Sequence, residues 1–150
     1  MQLALTTTDQ QRLESLANKI LAHYDTKRPP VPVETILQHP PEGMLEAVDI
    51  TDLSLVFGMG EHRYEYRMAL ARLLYRELCR KQSLLGENPR SYNEASRYFA
   101  AVLLIPQKWV LRAARWPLVT LQQLSEDFRV PEYVMSTRLS NLGKRVRGMD

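Results

Sequence analysis

The chain has 150 residues and a net charge of +3, with 45% hydrophobic and 25% charged residues. These fractions exclude a disordered chain and a fibrous repeat, and the length predicts a single domain. The longest apolar run, residues 98–105, is far shorter than the ~20 residues of a membrane-spanning helix, and the N-terminus lacks a secretory signal pattern. The single cysteine, Cys79, excludes an internal disulfide and fits a reducing compartment. We therefore expect a soluble, cytoplasmic protein.

The N-terminal segment has the spacing of an amphipathic helix. Apolar residues from Leu13 to Tyr24 recur at the i, i+3, i+4 and i+7 positions that share one helix face. Thr8 and Gln11 form a capping-box pattern, which predicts a helix over residues 8–24. The prolines of KRPPVPV then end this helix, because proline cannot continue the helical hydrogen-bond ladder.

The pattern changes between Met44 and Phe57. The run LSLVF at residues 53–57 is typical of a strand, and MLEAVDI at residues 44–50 is its candidate neighbour. Two or three such segments predict a small sheet of about three strands. Because the rest of the chain has helical patterns, we expect an α+β fold, in which a mainly helical single domain carries this sheet.

After Gly60 most of the chain is predicted to be helical. The longest helix covers residues 61–82, and we expect it to be central. The helices at residues 8–24 and 91–104 are expected to face it with their apolar stripes.

The C-terminal part, residues 120–143, has the gross pattern of a helix-turn-helix. Two short amphipathic helices, predicted at residues 121–128 and 131–142, surround the turn FRVP. If this pair bound DNA, the contacts would come from the second helix and the basic residues after it. The candidate contacts are Arg138, Asn141, Lys144 and Arg145. Since few of the cations lie in the helix itself, we keep DNA binding as the alternative function.

Two stretches in the middle of the chain resemble a known family. RMALARLLYREL at residues 67–78 and NEASRYFAAVLLIP at residues 93–106 resemble two consecutive helices of the ImmA/IrrE family of zinc metallopeptidases. Those helices read approximately R-F-T-L-A-H-E-L-G-H-Y and E-A-N-x-F-A-A-x-L-L-M-P. The tail at residues 121–143 is similar to the family's closing leucine-rich helices, so the resemblance spans nearly the whole chain. It implies a zincin-like peptidase core and a phage, mobile-element or stress-response setting, in which active members cleave helix-turn-helix repressors.

The chain departs from the family at the catalytic positions. Arg72, Leu73 and Arg76 stand where the family has a zinc-binding His, the general-base Glu and the second His. Only Glu94 matches a ligand position of the family. Guanidinium groups cannot bind a metal, and one carboxylate cannot replace the three protein ligands of a catalytic zinc. We therefore expect a vestigial site without metal, cofactor or peptidase activity.

The same positions predict one contact. A carboxylate left without its metal is costly to bury unpaired, so we expect Glu94 within salt-bridge reach of Arg72 or Arg76. In the alternative arrangement, both arginines point into solvent and Glu94 only completes a capping box with Ser91.

The sequence as a whole predicts a noncatalytic protein-binding module with a regulatory role. The resemblance implies a protein partner such as a helix-turn-helix repressor, whereas no membrane partner is expected. A helix-turn-helix DNA-binding regulator is the alternative. An enzyme that holds an anionic substrate with Arg72 and Arg76 is a third interpretation, but the sequence supplies no nucleophile or base beside them.

Overall fold

The structure is a computed structural model that describes residues 5–50, 63–81 and 89–149. Seven α-helices lie in those residues. They are α1 (Thr7–Leu21), α2 (Val33–Gln38), α3 (Arg63–Lys81), α4 (Pro89–Leu104), α5 (Gln107–Ala113), α6 (Leu121–Phe128) and α7 (Glu132–Asn141). None of the described helices is long and apolar enough to cross a membrane.

Helix α1 begins one residue before the predicted start, and its N-cap lies two residues before the predicted one. Its N-cap is Thr6, whose side chain accepts a hydrogen bond from the Asp9 backbone N–H at 3.0 Å. The Asp9 carboxylate accepts in return from the Thr6 N–H at 3.3 Å. This pair replaces the predicted box of Thr8 and Gln11, because a carboxylate in the first turn also interacts favourably with the helix dipole. The predicted apolar stripe is confirmed, since Leu13, Ala17, Ile20 and Leu21 are buried.

The predicted sheet is not found. The described residues are helical or irregular and contain no strand, so the α+β class and the sheet of a zincin-like core are wrong for this part of the chain. One of the two strand candidates, residues 53–57, lies outside the described residues. The other, residues 44–50, is described and has no strand partner there.

Packing explains why residues 44–50 look like a strand in the sequence. Leu45 and Ile50 are buried in the hydrophobic core, whereas their neighbours Glu46 and Asp49 are exposed. The Val48 N–H donates to the Leu37 carbonyl at 2.9 Å, so the segment follows the end of α2. Buried apolar residues and a backbone bond to a neighbouring segment thus occur together without the hydrogen-bonded ladder that defines a sheet.

The central helix is α4, not α3. Helix α4 packs against α1, α3 and α7, while α3 packs on α4 and α2. Alanines and large apolar residues of α4 are buried around most of its circumference, so more than one face is covered by neighbours. These residues are Ala95, Phe99, Ala100, Val102, Leu103 and Leu104. The expectation that α1 and α4 both face a central α3 is therefore wrong for α1.

The C-terminal helix pair agrees closely with the prediction. Thr120 caps α6 by accepting from the Gln123 N–H at 3.1 Å, and the Gln123 side chain accepts from the Thr120 N–H at 2.9 Å. Arg129 ends α6 in the left-handed conformation, with φ at 56°. The Ser125 hydroxyl donates to the Val130 carbonyl at 2.6 Å, which fixes the turn before α7.

Candidate functional site

A cleft of about 760 Å³ lies between α3, α4 and α7, beside the start of α1. Each of these three helices presents one face to it, because the lining residues repeat at the three- and four-residue spacing of a helix surface. On α3 the face runs from Glu65 to Arg72, and on α4 it runs from Glu94 to Ala101. On α7 it runs from Tyr133 to Asn141. The cleft is thus a groove where three helices meet, with Met68, Ala69, Ala101 and Val134 as its apolar part.

Two of the four predicted vestigial residues lie in this cleft. Arg72 and Glu94 both line it, although they belong to different helices. Leu73 instead packs against the hydrophobic core. Arg76 is exposed outside the cleft lining, and its Nε lies 3.6 Å from the Glu77 carboxylate. The spacing of the family motif therefore predicts the location of Arg72 and Glu94 but not that of Arg76.

The predicted ion pair of Glu94 is not formed. The ion pairs among the described residues do not include one between Glu94 and Arg72 or Arg76. Arg72 donates instead from Nε to the hydroxyl of Ser96 at 3.2 Å. Ser96 is buried, so this bond satisfies a polar group of α4 that would otherwise be costly to bury. Glu94 is engaged in other interactions, and the side chain of its alternative partner Ser91 lies outside the described part.

Three arginines line the cleft, Arg72, Arg97 and Arg138, together with the carboxylates Glu65 and Glu94. Arg138 is bonded to Glu14, so Arg72 and Arg97 are the guanidinium groups that can meet a ligand. Arg97 is exposed and lines the cleft with Arg72, and neither is paired with a carboxylate among the described residues. The bond to Ser96 occupies only the Nε of Arg72, so its terminal nitrogens stay available for a ligand. Arginine presents such nitrogens as a planar fork, which suits bidentate binding of a carboxylate or phosphate.

Tyr133 provides a hydroxyl near both arginines. It donates to the Glu65 carboxylate at 3.2 Å. The pKa of Tyr133 is raised, first by burial and then by the hydrogen bond to Glu65 and the charge of Glu65. The charges of Arg97 and Arg72 act in the opposite direction and lower this pKa. The phenol therefore stays protonated at neutral pH and can donate or accept a hydrogen bond, but it does not act as a base there.

The residues of the cleft do not fit the zinc of the family. Among the described residues, no group of three or more His, Cys, Asp or Glu side chains could hold a metal ion. The described lining contains two carboxylates, Glu65 and Glu94, with no His or Cys. Because arginine remains protonated at any relevant pH, Arg72 cannot take the place of a zinc-binding His.

A zinc measurement tests this conclusion. We expect the purified chain, produced with zinc in the medium, to contain far less than the one equivalent of a zinc site, because such a site needs about three protein ligands. We also expect Glu94→Ala to leave the zinc content unchanged in elemental analysis. One zinc per chain that is lost in Glu94→Ala would show that Glu94 is still a ligand.

The predicted nucleic-acid contacts are separated in the structure. Arg138 is only 2% exposed, and its guanidinium donates to Glu14 at 2.7 Å and to the Ile105 carbonyl at 3.0 Å. Asn141 is exposed at the end of α7 and lines the cleft. Lys144 is half-buried after α7, and Arg145 donates to the Met149 carbonyl at 3.2 Å. Since Arg138 is turned inward, these four side chains do not form one surface.

The sequence interpretation missed Ser96, Arg97 and Glu65 as residues of the site. A signal for Arg97 was available, since Glu94, Arg97 and Ala101 share one helix face at i, i+3 and i+7. Glu65 likewise shares a helix face with Arg72 at i and i+7, but its contact with Tyr133 had no signal because it joins residues far apart in the chain.

Comparison of the chain with family models, curated proteins and solved structures finds no match. The resemblance to the ImmA/IrrE family therefore rests on the sequence motifs alone.

Proposed function

We propose that this chain is a noncatalytic protein-binding module, a pseudo-peptidase whose cleft receives a segment of a regulatory protein. The observation that carries the proposal is the pair Arg72 and Arg97 in a groove with an apolar part. These cations lie at and near the positions where the resemblance would place the catalytic centre of a peptidase. A groove that once positioned a peptide would keep its shape after the loss of the metal ligands.

The chemistry of the cleft favours a segment that is both apolar and acidic. Met68, Ala101 and Val134 offer contact to an apolar side chain, whose burial stabilises a complex by roughly 25 cal/mol per Å². Arg72 and Arg97 offer charge-assisted hydrogen bonds to a carboxylate. From the resemblance, we infer a helix-turn-helix repressor as the kind of partner and regulation of transcription in a prophage, mobile-element or stress setting. The proposal includes no cofactor, and it places the complex in the cytoplasm.

Calorimetric titration with purified partners tests the proposal. The partners are the helix-turn-helix regulators encoded near the gene of this chain, and each is added to the full chain. We expect one of them to bind and to remain intact on prolonged incubation. Arg97→Glu and Arg72→Gln should each weaken the complex at least about tenfold, because each removes a charge-assisted bond.

A matched variant controls for net charge. Arg28 is exposed and lies outside the cleft lining, so Arg28→Glu makes the same charge change as Arg97→Glu at a remote position. We expect Arg28→Glu to bind as the wild type does. Equal weakening by Arg28→Glu and Arg97→Glu, or cleavage of the regulator, would overturn the proposal.

The described structure gives less support to the alternative of a DNA-binding regulator. The exposed residues of α7 are Glu132, Tyr133, Thr137, Ser140 and Asn141. None of them is Lys or Arg, and the carboxylate of Glu132 would repel DNA phosphates. The third interpretation, an enzyme using Arg72 and Arg76 together, loses its basis because Arg76 is not part of the cleft lining.

A selection experiment tests the alternative. We expect the purified chain to enrich no discrete motif from a pool of random DNA duplexes at physiological salt, because the exposed face of α7 lacks the cations that position a recognition helix. Enrichment of one motif, abolished by Asn141→Ala, would restore the helix-turn-helix interpretation.

A further inference from the structure

The loop between α5 and α6 exposes two large apolar side chains. Trp116 is 74% exposed and Leu118 is 68% exposed, and the proline between them is exposed as well. Burying an indole of this size is strongly favourable, so a tryptophan on a loop indicates an interaction site more often than a scattered leucine does. We call this loop, together with residues 106–120 around it and residues 143–149, the Trp116 surface.

The two segments of this surface lie side by side. The Leu121 N–H donates to the Arg147 carbonyl at 2.7 Å, and Thr120 and Arg147 form a parallel bridge. The end of the chain is thus fixed next to the loop that carries Trp116 and Leu118.

The Trp116 surface also holds the positive charge of the protein. Its two segments contain six of the 20 Lys and Arg residues and none of the 17 Asp and Glu residues. The other 14 basic residues are outnumbered by the 17 acids, so the rest of the chain has a net charge of −3. The basic character of the sequence is therefore local.

Four exposed cations of this surface are available to a ligand. Lys108 and Arg112 are exposed one turn apart on α5, and Arg115 and Arg147 are exposed beside the loop. The ion pairs among the described residues include none of these four cations. These cations lie on α5, on the loop directly before Trp116, and on the segment that the bond between Leu121 and Arg147 joins to the end of that loop. Exposed cations on segments that flank an exposed aromatic residue favour a polyanion with planar groups as the ligand.

We propose that the Trp116 surface binds single-stranded nucleic acid without sequence preference. The cations contact successive phosphates, and Trp116 stacks on an unpaired base, while Leu118 packs beside it. A duplex cannot use Trp116 in this way because its bases are already stacked. An acidic protein segment would supply charge but no planar partner for the indole. The site is separate from the cleft, so the proposal does not depend on the proposed function.

Fluorescence anisotropy with a labelled oligothymidylate of about 20 nucleotides tests the proposal on the full chain. We expect binding to weaken as salt rises from about 50 to 200 mM, with a log–log slope of about −2 to −3.5 for three to five phosphate contacts. Trp116→Ala should weaken binding about 5- to 150-fold, whereas Trp116→Phe should keep most of it because phenylalanine also stacks. Arg112→Glu should weaken binding about as strongly.

The controls distinguish this site from general attraction between charges. Arg28→Glu makes the same charge change as Arg112→Glu at an exposed position outside both the cleft and the Trp116 surface, so it should leave oligothymidylate binding nearly unchanged. A duplex of equal length should bind more weakly, and polyglutamate should compete poorly. Binding that does not respond to Trp116→Ala, equal competition by polyglutamate, or binding only to anionic phospholipid vesicles would overturn the proposal.

Discussion

Replacing Arg138 with alanine is expected to lower the free energy of unfolding by about 3–5 kcal/mol. The side chain of Arg138 lies between α7, α1 and the end of α4, bonded to Glu14 at 2.7 Å and to the Ile105 carbonyl at 3.0 Å. Without it, a buried carbonyl loses its donor and Glu14, whose side chain is 24% exposed, loses its cation. Thermal unfolding should then begin roughly 6–20 °C lower, at about 2–4 °C per kcal/mol for a chain of this size.

Two further variants separate the contributions. Arg97→Ala makes the same substitution at an exposed position without an ion pair in the described residues, so it should change stability by less than about 0.5 kcal/mol. The double variant Arg138→Met with Glu14→Gln should lose less than Arg138→Ala, since no charge is left unpaired. An Arg138→Ala protein as stable as the wild type, but weaker in binding DNA, would instead return Arg138 to a DNA-contacting role.

The second large effect is expected for Arg67→Ala, again about 3–5 kcal/mol. The Arg67 side chain is 7% exposed and donates to the Val31 carbonyl at 2.7 Å, the Arg129 carbonyl at 3.1 Å and Glu34 at 3.2 Å. Burial lowers the pKa of Arg67, and the charge of Glu34 opposes that change. This one side chain joins α3 to the chain before α2 and to the turn between α6 and α7.

Hydrogen exchange adds a local test for Arg67. We expect urea unfolding to show that Arg67→Ala destabilises the whole protein. In addition, the backbone amides near Val31 and Arg129 should exchange faster in this variant, because both segments lose their hydrogen bonds to α3. Glu34→Gln is the matched control, since it keeps a side-chain oxygen that can accept from Arg67, and at a side chain that is 40% exposed the change should cost about 1 kcal/mol or less. Equal losses for the two variants would mean that the two carbonyl bonds contribute little.

The helices were largely predictable because their signals are local. The capping pair Thr120 and Gln123 and the apolar spacing of α6 predict its exact bounds, and the stripe of α1 is buried as expected. The choice of Thr6 over Thr8 as N-cap was not predictable from spacing alone, since three consecutive threonines offer similar starts. The expected strand at residues 44–50 failed for a different reason. A short segment with buried apolar residues is not specific to a sheet, because only a ladder of backbone hydrogen bonds to a neighbouring segment distinguishes a strand from an irregular segment.

The site was predictable only in part. Arg72 and Glu94 line one cleft, but their partners depend on tertiary geometry, in which Arg72 donates to Ser96. Arg138 was misjudged as a surface residue although a signal was present. It lies at i+4 from Val134 and i+3 from Met135, on the buried stripe of α7, where an arginine needs a partner inside the protein. A charged residue on an apolar stripe should therefore be interpreted first as a buried ion pair.

Photo-cross-linking from the cleft tests the proposed function most directly. Benzoylphenylalanine is introduced in place of Thr137, an exposed residue of the cleft lining, and in a second protein in place of Arg28, which is exposed outside that lining. Each protein is irradiated with the purified helix-turn-helix regulator that binds the wild type, and the products are mapped by mass spectrometry. We predict cross-links from position 137 to one continuous segment of an intact regulator and almost none from position 28. Equal yields from both positions, or a regulator cut within the cross-linked segment, would contradict a noncatalytic binding cleft.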